Sequence, residues 1–86
     1  MKLKESFISY DSDKESFLVP TGAADFAGVV KGNKTLGVIV ELLKSETTEV
    51  GIIDAMCERF EAPRELIARD VKIAVENLRK IGALDE

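Results

Sequence analysis

The segment GVVKGNKT, at positions 28–35, contains the residue types most suggestive of chemistry in this sequence. A phosphate-binding loop follows the pattern G-x-x-x-x-G-K-[ST], because its glycines let backbone N–H groups surround the phosphates. Here Asn33 occupies the position of the second glycine, and its side chain would crowd a bound anion. The preceding AADFA also makes a poor buried strand. The pattern therefore favours a strand-to-helix junction, in which Gly32 turns the chain and Asn33 caps a helix.

Other kinds of catalytic site are restricted by composition. The sequence contains no histidine and a single cysteine, Cys57, which excludes Ser–His and Cys–His catalysis, imidazole zinc ligands and an internal disulfide. Cys57 follows Met56 on the predicted inner side of a helix, so we expect a buried, inert thiol. The acidic pairs, in a predicted loop and in the tail, indicate solvation: Asp11 with Asp13, and Asp85 with Glu86. The sequence therefore predicts a protein that is not an enzyme and holds no cofactor or metal.

Length and charge limit the fold and the partners. The 86 residues predict a single domain, residues 1–86, and 45% apolar with 33% charged residues is typical of globular proteins. The net charge of −4 argues against nucleic acid or anionic membrane as a partner. The N-terminal MKLKESF has no signal-peptide pattern, and LGVIVELL is too short to span a membrane. These features predict a cytoplasmic protein.

The first third of the chain has strand patterns. SFISY (6–10) and SFLVP (16–20) combine aromatic and β-branched residues, and the five polar residues DSDKE between them predict a hairpin. The segment TGAADFAG (21–28) predicts an irregular crossing, and GVVK (28–31) predicts a third short strand.

From Asn33 onward the apolar period changes towards that of a helix. The first predicted helix lies in 33–44 and has one apolar face: Leu36, Ile39, Val40 and Leu43. Thr48 predicts the cap of a second helix, whose expected apolar side is Val50, Ile53, Met56, Cys57 and Phe60. Pro63 predicts the first turn of a third helix, Gly82 its end, and its expected stripe is Ile67, Val71, Ala74, Leu78 and Ile81. The order of elements predicts an α+β fold, a small antiparallel sheet packed against a three-helix bundle.

Three segments together resemble the PqqD family, which comprises coenzyme PQQ synthesis protein D and its relatives. GNKTLGVIVELL is similar to the family pattern L-N-x-T-[GA]-x-x-x-x-x-L, and TTEVGIIDAMCERF to T-x-x-E-[IL]-x-x-x-L-x-x-x-[FY]. IARDVKIAVENLRKIGAL is similar to x-x-D-V-x-x-F-L-x-x-L-x-x-x-G-L-[IL]. The order and spacing of these segments after an N-terminal hairpin make the resemblance specific. The chain departs from the pattern at Ala74 and Val75, which replace a bulky pair.

The resemblance implies a winged-helix-like, non-catalytic module of the kind called a RiPP recognition element. Such a module would bind the leader segment of a ribosomally synthesised precursor peptide. It would present that peptide to a modifying enzyme, often a radical SAM enzyme. The resemblance further implies that the leader adds a strand to the third β-strand and lies beside the third helix.

The residues expected to bind the peptide fall in two groups. The strand group is Gly28, Val29, Val30, Lys31 and Gly32, where an open edge would offer free backbone groups and the glycines room for a second backbone. The helix group lies on the face of the third helix away from its core stripe: Leu66, Arg69, Asp70, Ile73, Asn77 and Lys80. Lys80 and Arg69 favour a leader with acidic residues. An ordinary edge strand and isolated surface apolar residues are the alternative interpretations.

Two other functions fit parts of the sequence. The helix–turn–helix pattern around EAP, with Arg64, Arg69 and Lys72, would suit a winged-helix DNA-binding protein, although Glu61, Glu65, Asp70 and Glu76 interrupt the basic residues. The strand edge would also suit self-association, so we expect a monomer or a weak homodimer.

Overall fold

The computed structural model describes residues 1–22 and 28–86, and the predicted crossing over 21–28 therefore lies largely outside the described residues. The elements follow one another as β1 (Lys2–Leu3), β2 (Phe7–Asp11), β3 (Ser16–Pro20), β4 (Val30–Gly32), α1 (Lys34–Leu42), α2 (Glu49–Arg59), α3 (Arg64–Lys80) and β5 (Leu84–Asp85). This order confirms the predicted α+β fold, with N-terminal antiparallel strands followed by three helices in the described residues.

The central sheet has the order β2-β3-β4, and both pairings are antiparallel. Asp11 pairs with Ser16, so the hairpin turn has four residues and not the predicted five. The third predicted strand is also shorter, because it begins at Val30. Gly28 adopts a φ of 134°, a value that favours glycine and that keeps this residue outside the strand.

The sequence pattern predicted neither β1 nor β5. β1 and β5 pair antiparallel, with Leu3 opposite Leu84. The backbone of β1 also donates from Leu3 to the Leu43 carbonyl at 2.7 Å, just after α1. Strands of two residues are too short for an alternating pattern, so only the tertiary contact between the two chain segments defines them.

The helix ends confirm most of the predicted caps. The Asn33 side chain accepts a hydrogen bond from the Leu36 N–H at 3.1 Å, and the Thr48 hydroxyl accepts from the Gly51 N–H at 3.0 Å. At the end of α3, Gly82 has a φ of +73°, which lets the Ala83 N–H reach the Leu78 carbonyl at 2.9 Å. Pro63 is the N-cap of α3 and not part of its first turn.

The core lies between the sheet, β1 with β5, and the three helices. Its buried apolar residues are Leu3, Phe7, Leu18, Ile39, Val40, Leu43, Ile52, Met56, Ile67, Val71, Val75, Leu78, Ala83 and Leu84. The predicted faces of α1 and α3 are confirmed at their centres, whereas Leu36, Ala74 and Ile81 at their margins are only half-buried.

The predicted apolar side of α2 was wrong in part. Ile52 is fully buried, whereas Val50 is 60% and Phe60 is 36% exposed. Cys57 is half-buried, so the expected buried thiol is also wrong. Ile52 and Ile53 are consecutive in sequence and therefore lie about 100° apart around the helix axis. Only the packing against neighbouring elements selects which of these two faces is buried.

Helix α1 crosses β3 at a close contact between Gly37 and Ser16. The Ser16 side chain is 3% exposed, and its Oγ has no hydrogen-bond partner among the described residues. A Cβ at position 37 would lie 2.1 Å from this Oγ and 3.1 Å from the Ser16 Cβ. The helix can therefore approach the strand only because residue 37 has no side chain.

This contact predicts opposite effects for two substitutions. We expect Gly37→Val to lower the free energy of unfolding by about 1–3 kcal/mol, because the added side chain overpacks the α1–β3 contact. Ser16→Ala removes a buried hydroxyl that has no partner, so its stability should equal or exceed that of the wild type. Urea denaturation followed by circular dichroism measures both. A Gly37→Val variant as stable as the wild type would contradict the contact.

Candidate functional site

Strand β4 lies at one edge of the central sheet. It pairs with β3 on one side, and in the described parts of the chain no strand pairs with its other side. β2 lies at the opposite edge. The sheet therefore has two outer edges, and the direction of their backbone groups decides what each edge can bind.

The hydrogen bonds that flank the β2–β3 pair identify those directions. Ser12 donates to the Glu15 carbonyl at 2.9 Å, and Thr21 donates to the Ser6 carbonyl at 2.7 Å. In an antiparallel pair, bonded and non-bonded partners alternate. Both bonds continue the β2–β3 register, so alternate partners such as Tyr10 with Phe17 also exchange hydrogen bonds.

The same alternation settles the outer edge of β4. In β3, the backbone groups of Ser16 and Leu18 must face β4, where their partners are Gly32 and Val30. The backbone N–H and C=O of Lys31 therefore point away from β3, outward from the sheet. These two groups bond to no residue that the structure describes, so they can receive an added strand.

A groove about 360 Å³ in volume lies beside this edge, between β4 and α3. Its apolar lining comes from Val30 on β4, Leu36 on α1, and residues of α3 or the turn after it, namely Ala74, Leu78 and Ile81. Lys31, Asn77 and Lys80 complete it. The groove is thus an apolar channel, with Lys80 of α3 and the edge residue Lys31 among its lining.

A second hollow of about 250 Å³ extends the first along α3. The two hollows share three lining residues, Leu36, Ala74 and Asn77. The second adds residues from the start of α1 and from α3: Asn33, Thr35, Ile39, Asp70 and Ile73. We call the two hollows together the β4–α3 groove.

Six of the predicted site residues line this groove: Val30, Lys31, Asp70, Ile73, Asn77 and Lys80. Leu66 and Arg69 are not among its lining residues. Leu66 is 44% exposed and lies about two helical turns before Ile73. Of the two apolar residues expected to bind the peptide together, only Ile73 therefore lines the groove.

The glycine-bounded strand also differs from its prediction. Gly28 and Val29 precede β4, and the Val29 side chain is 59% exposed. A Cβ on Gly32 would lie 2.2 Å from the Leu36 Cδ2, so the space at Gly32 is filled by this protein's own side chain. Gly32 therefore allows α1 to pack against β4, and the expectation that it also makes room for a second backbone stays a prediction.

Five groove residues were predicted only as core: Leu36, Ile39, Ala74, Leu78 and Ile81. Leu36, Ala74 and Ile81 lie at the margins of their helical stripes and are half-buried. The available signal was the width of the stripe on α3, which exceeds what the short strand β4 can cover. Which edge of the α3 stripe stays uncovered depends on how the helix packs against the sheet, and the sequence does not specify that packing.

The charged groups at the groove differ in their pairing. The Lys31 Nζ lies 2.7 Å from a Glu15 carboxylate oxygen, and both side chains are well exposed. Neither Lys80 nor Asp70 forms an ion pair with any residue that the structure describes. An exposed ion pair contributes little, so the lysines at the groove can accept an anionic partner.

Two arginines elsewhere on α3 are already paired. Arg64 contacts Asp54 at 2.7 Å, which engages one of the cations that the DNA-binding interpretation requires. Arg79 binds Glu86 through two nitrogens, at 2.7 and 2.8 Å. The hydrogen bonds from Arg79 lower the pKa of the Glu86 carboxyl below its usual value.

Residues 1–22 and 28–86 contain neither a cluster of potential metal ligands nor a helix of membrane-spanning character. Within these ranges, no three cysteine, aspartate or glutamate side chains come close enough together to hold a metal ion. None of the helices described there has the length and apolar character needed to cross a membrane.

Comparison with known proteins identifies the family. The family described as Coenzyme PQQ synthesis protein D (PqqD) matches residues 18–84, and the chain belongs to this family. A solved structure, TbiB1 in complex with the TbiA(beta) leader peptide, has a similar fold, with a TM-score of 0.79 and 21% sequence identity. The alignment covers 99% of this chain and 95% of that one. No curated protein matches the sequence.

Because Leu66 and Ile73 are exposed on α3, we expect the fold to tolerate a charged side chain at either position. We expect Ile73→Glu and Leu66→Glu to change the free energy of unfolding by no more than about 0.5 kcal/mol, because both side chains are already hydrated. Ile67→Glu, one position from Leu66 but in the core, should be strongly destabilising. Thermal denaturation compares the three variants. Loss of folding in Ile73→Glu would mean that this residue is part of the core.

Proposed function

We propose that this protein is a non-catalytic module that captures the leader segment of a ribosomally synthesised precursor peptide. The observation that carries the proposal is the outward-facing backbone of Lys31 beside the apolar β4–α3 groove. Membership of the PqqD family supports it, as does the fold shared with a protein whose structure contains a leader peptide.

In this proposal the leader binds as an added strand. Its backbone would exchange hydrogen bonds with the N–H and C=O of Lys31, which need no particular leader sequence. Successive side chains of a strand point to opposite faces of the sheet. One set of leader side chains would therefore face the groove on the Val30 side, and the other set would lie beside the Lys31 side chain.

Backbone pairing alone is too weak to hold a leader. Each hydrogen bond contributes about 0.5–1.5 kcal/mol, whereas association costs at least about 4 kcal/mol in lost translational and rotational freedom. Burial of one large apolar side chain adds about 1.5–3 kcal/mol. The apolar contacts of the groove would therefore supply much of the affinity, and the open edge would set the orientation of the leader.

The second part of the groove would hold the leader against α3. Ile73 is 51% exposed and offers an apolar contact, while Asp70 and Asn77 beside it can form hydrogen bonds. Leu66 and Arg69 lie beyond this hollow, so they would contact only a leader that continues along α3.

The chemical modification would be carried out by a separate enzyme. This chain has no histidine and a single cysteine, so the expected catalytic groups must come from elsewhere. The resemblance to the PqqD family suggests a radical SAM enzyme as this partner. In this proposal the module raises the local concentration of the precursor at that enzyme, since binding of the leader makes the encounter intramolecular.

The strand-addition proposal is tested by proline substitution at the two sheet edges. Lys31→Pro removes an outward N–H without removing a bond to β3, so the fold should persist and leader binding should fall at least about tenfold. Ser9→Pro is the matched control, because the Ser9 N–H also points outward but on β2. Lys31→Ala controls for the lost charge. The ligand is the synthetic leader of a precursor peptide encoded beside this gene, titrated by calorimetry.

Equal affinity in Lys31→Pro and the wild type would exclude strand addition at β4. A loss confined to Ser9→Pro would move the site to the opposite edge of the sheet. Binding of duplex DNA with a steep dependence on salt, in place of peptide binding, would support the DNA-binding alternative.

The helix side of the site predicts a difference between two matched variants. Ile73→Glu places a charge in the groove and should weaken binding of the same leader roughly tenfold, about 1.4 kcal/mol. Leu66→Glu introduces the same charge outside the groove, and its effect should be smaller. A larger loss in Leu66→Glu than in Ile73→Glu would show that the leader does not follow the β4–α3 groove.

A further inference from the structure

The two hollows of the β4–α3 groove meet at Ala74. This residue lines both hollows, together with Leu36 and Asn77, and its methyl group is the smallest side chain in either lining. Leu36 and Asn77, the other two residues common to both hollows, have larger side chains. The depth available at the junction is therefore determined by the size of residue 74.

The surroundings of Ala74 select for an apolar side chain. The hollow nearer β4 is also lined by two apolar residues that follow Ala74 in sequence, Leu78 and Ile81. Leu78 is only 2% exposed. A polar group placed there would lose its hydration without gaining a partner. A small side chain would leave part of the hollow unfilled, and its lining would lose packing contacts.

The charges at the margin define the neighbouring positions of the ligand. Adjacent side chains of an added strand alternate between the groove and the opposite face, on which the Lys31 side chain lies. Lys80 lines only the hollow nearer β4 and has no ion pair with the described residues, whereas the acidic Asp70 lines only the other hollow. The positive charge is therefore concentrated at the β4 end of the groove. Among the residues that the structure describes, Lys31 pairs only with the exposed Glu15, which a ligand carboxylate can replace.

We propose that Ala74 is a specificity-determining residue, which admits one large apolar side chain from an extended peptide whose adjacent positions carry acidic residues. The occupant of the groove is thus a peptide segment with a leucine, isoleucine, methionine or phenylalanine next to aspartate or glutamate. This inference rests on the proposed function and adds the chemical class of the leader residue that the groove selects.

The inference is tested by exchanging the size of residue 74 with the size of the peptide side chain that contacts it. A phage-displayed library of random dodecapeptides is selected against the full 86-residue chain and, in parallel, against its Ala74→Leu variant. The wild type should enrich peptides with a large apolar residue beside acidic ones. Ala74→Leu should enrich alanine, glycine or serine at that position and keep the acidic neighbours, because leucine fills the junction from the protein side.

Fluorescence anisotropy then measures the affinities of the selected peptides for the wild type and for Ala74→Leu. The best wild-type peptide should bind Ala74→Leu about tenfold or more weakly, since one branched apolar group in a pocket is worth at least this factor. Replacing the large apolar residue of that peptide by alanine should weaken binding to the wild type but not to Ala74→Leu. Ala62→Leu, an exposed alanine outside the groove, is the matched control and should bind as the wild type does.

The outcomes separate this inference from the proposed function. If neither protein enriches any peptide, leader capture itself is wrong. If both enrich the same large apolar residue, the chain binds peptides but Ala74 does not set their size, and the inference is overturned. Ala74→Val provides the same comparison if thermal denaturation shows that Ala74→Leu does not fold.

Discussion

The binding site proposed for this protein depends on the direction in which the backbone of one residue points. Hydrogen bonding in an antiparallel sheet alternates, and the register of β2, β3 and β4 turns the N–H and C=O of Lys31 away from β3. A shift of β4 by one residue would turn these groups inward and would also reverse the faces of Val30 and Lys31. Register thus controls both the open edge and the lining of the groove.

That register is maintained by the packing of α1 against β4 and β3. The side chain of Leu36 fills the space above Gly32, and the Asn33 cap begins α1 immediately after the strand. On the next strand, the contact of Ser16 with Gly37 keeps α1 close to the sheet. Two positions without side chains, 32 and 37, therefore allow one helix to hold the edge strand in place and to form one wall of the groove.

The elements that the sequence predicted well are those with strong local signals. The period of α3, the caps at Asn33 and Thr48, and the turn at Gly82 depend on residues close together in sequence. The strand-to-helix junction at Gly32 and Asn33 also followed from local chemistry, in spite of its similarity to a phosphate-binding loop.

The incorrect predictions concern features that depend on packing between segments distant in sequence. Strands β1 and β5 exist through a pairing across almost the whole chain, and the buried side of α2 is selected by its neighbours. For the candidate site, periodicity placed Ile73 and Leu66 on one outward face, but the groove extends beside only Ile73. Ala74 looked like a core residue because its position in the stripe does not show where the covering strand ends.

The most direct measurement of the central claim is hydrogen exchange at single backbone amides, recorded by NMR with and without the leader peptide. In the free protein, the Lys31 amide should exchange faster than those of Val30 and Gly32, which bond to β3. Addition of the leader should slow the exchange of Lys31 until it resembles that of its neighbours. A Lys31 amide that is already protected in the free protein, or that stays unprotected when the leader is bound, would contradict an open edge at β4.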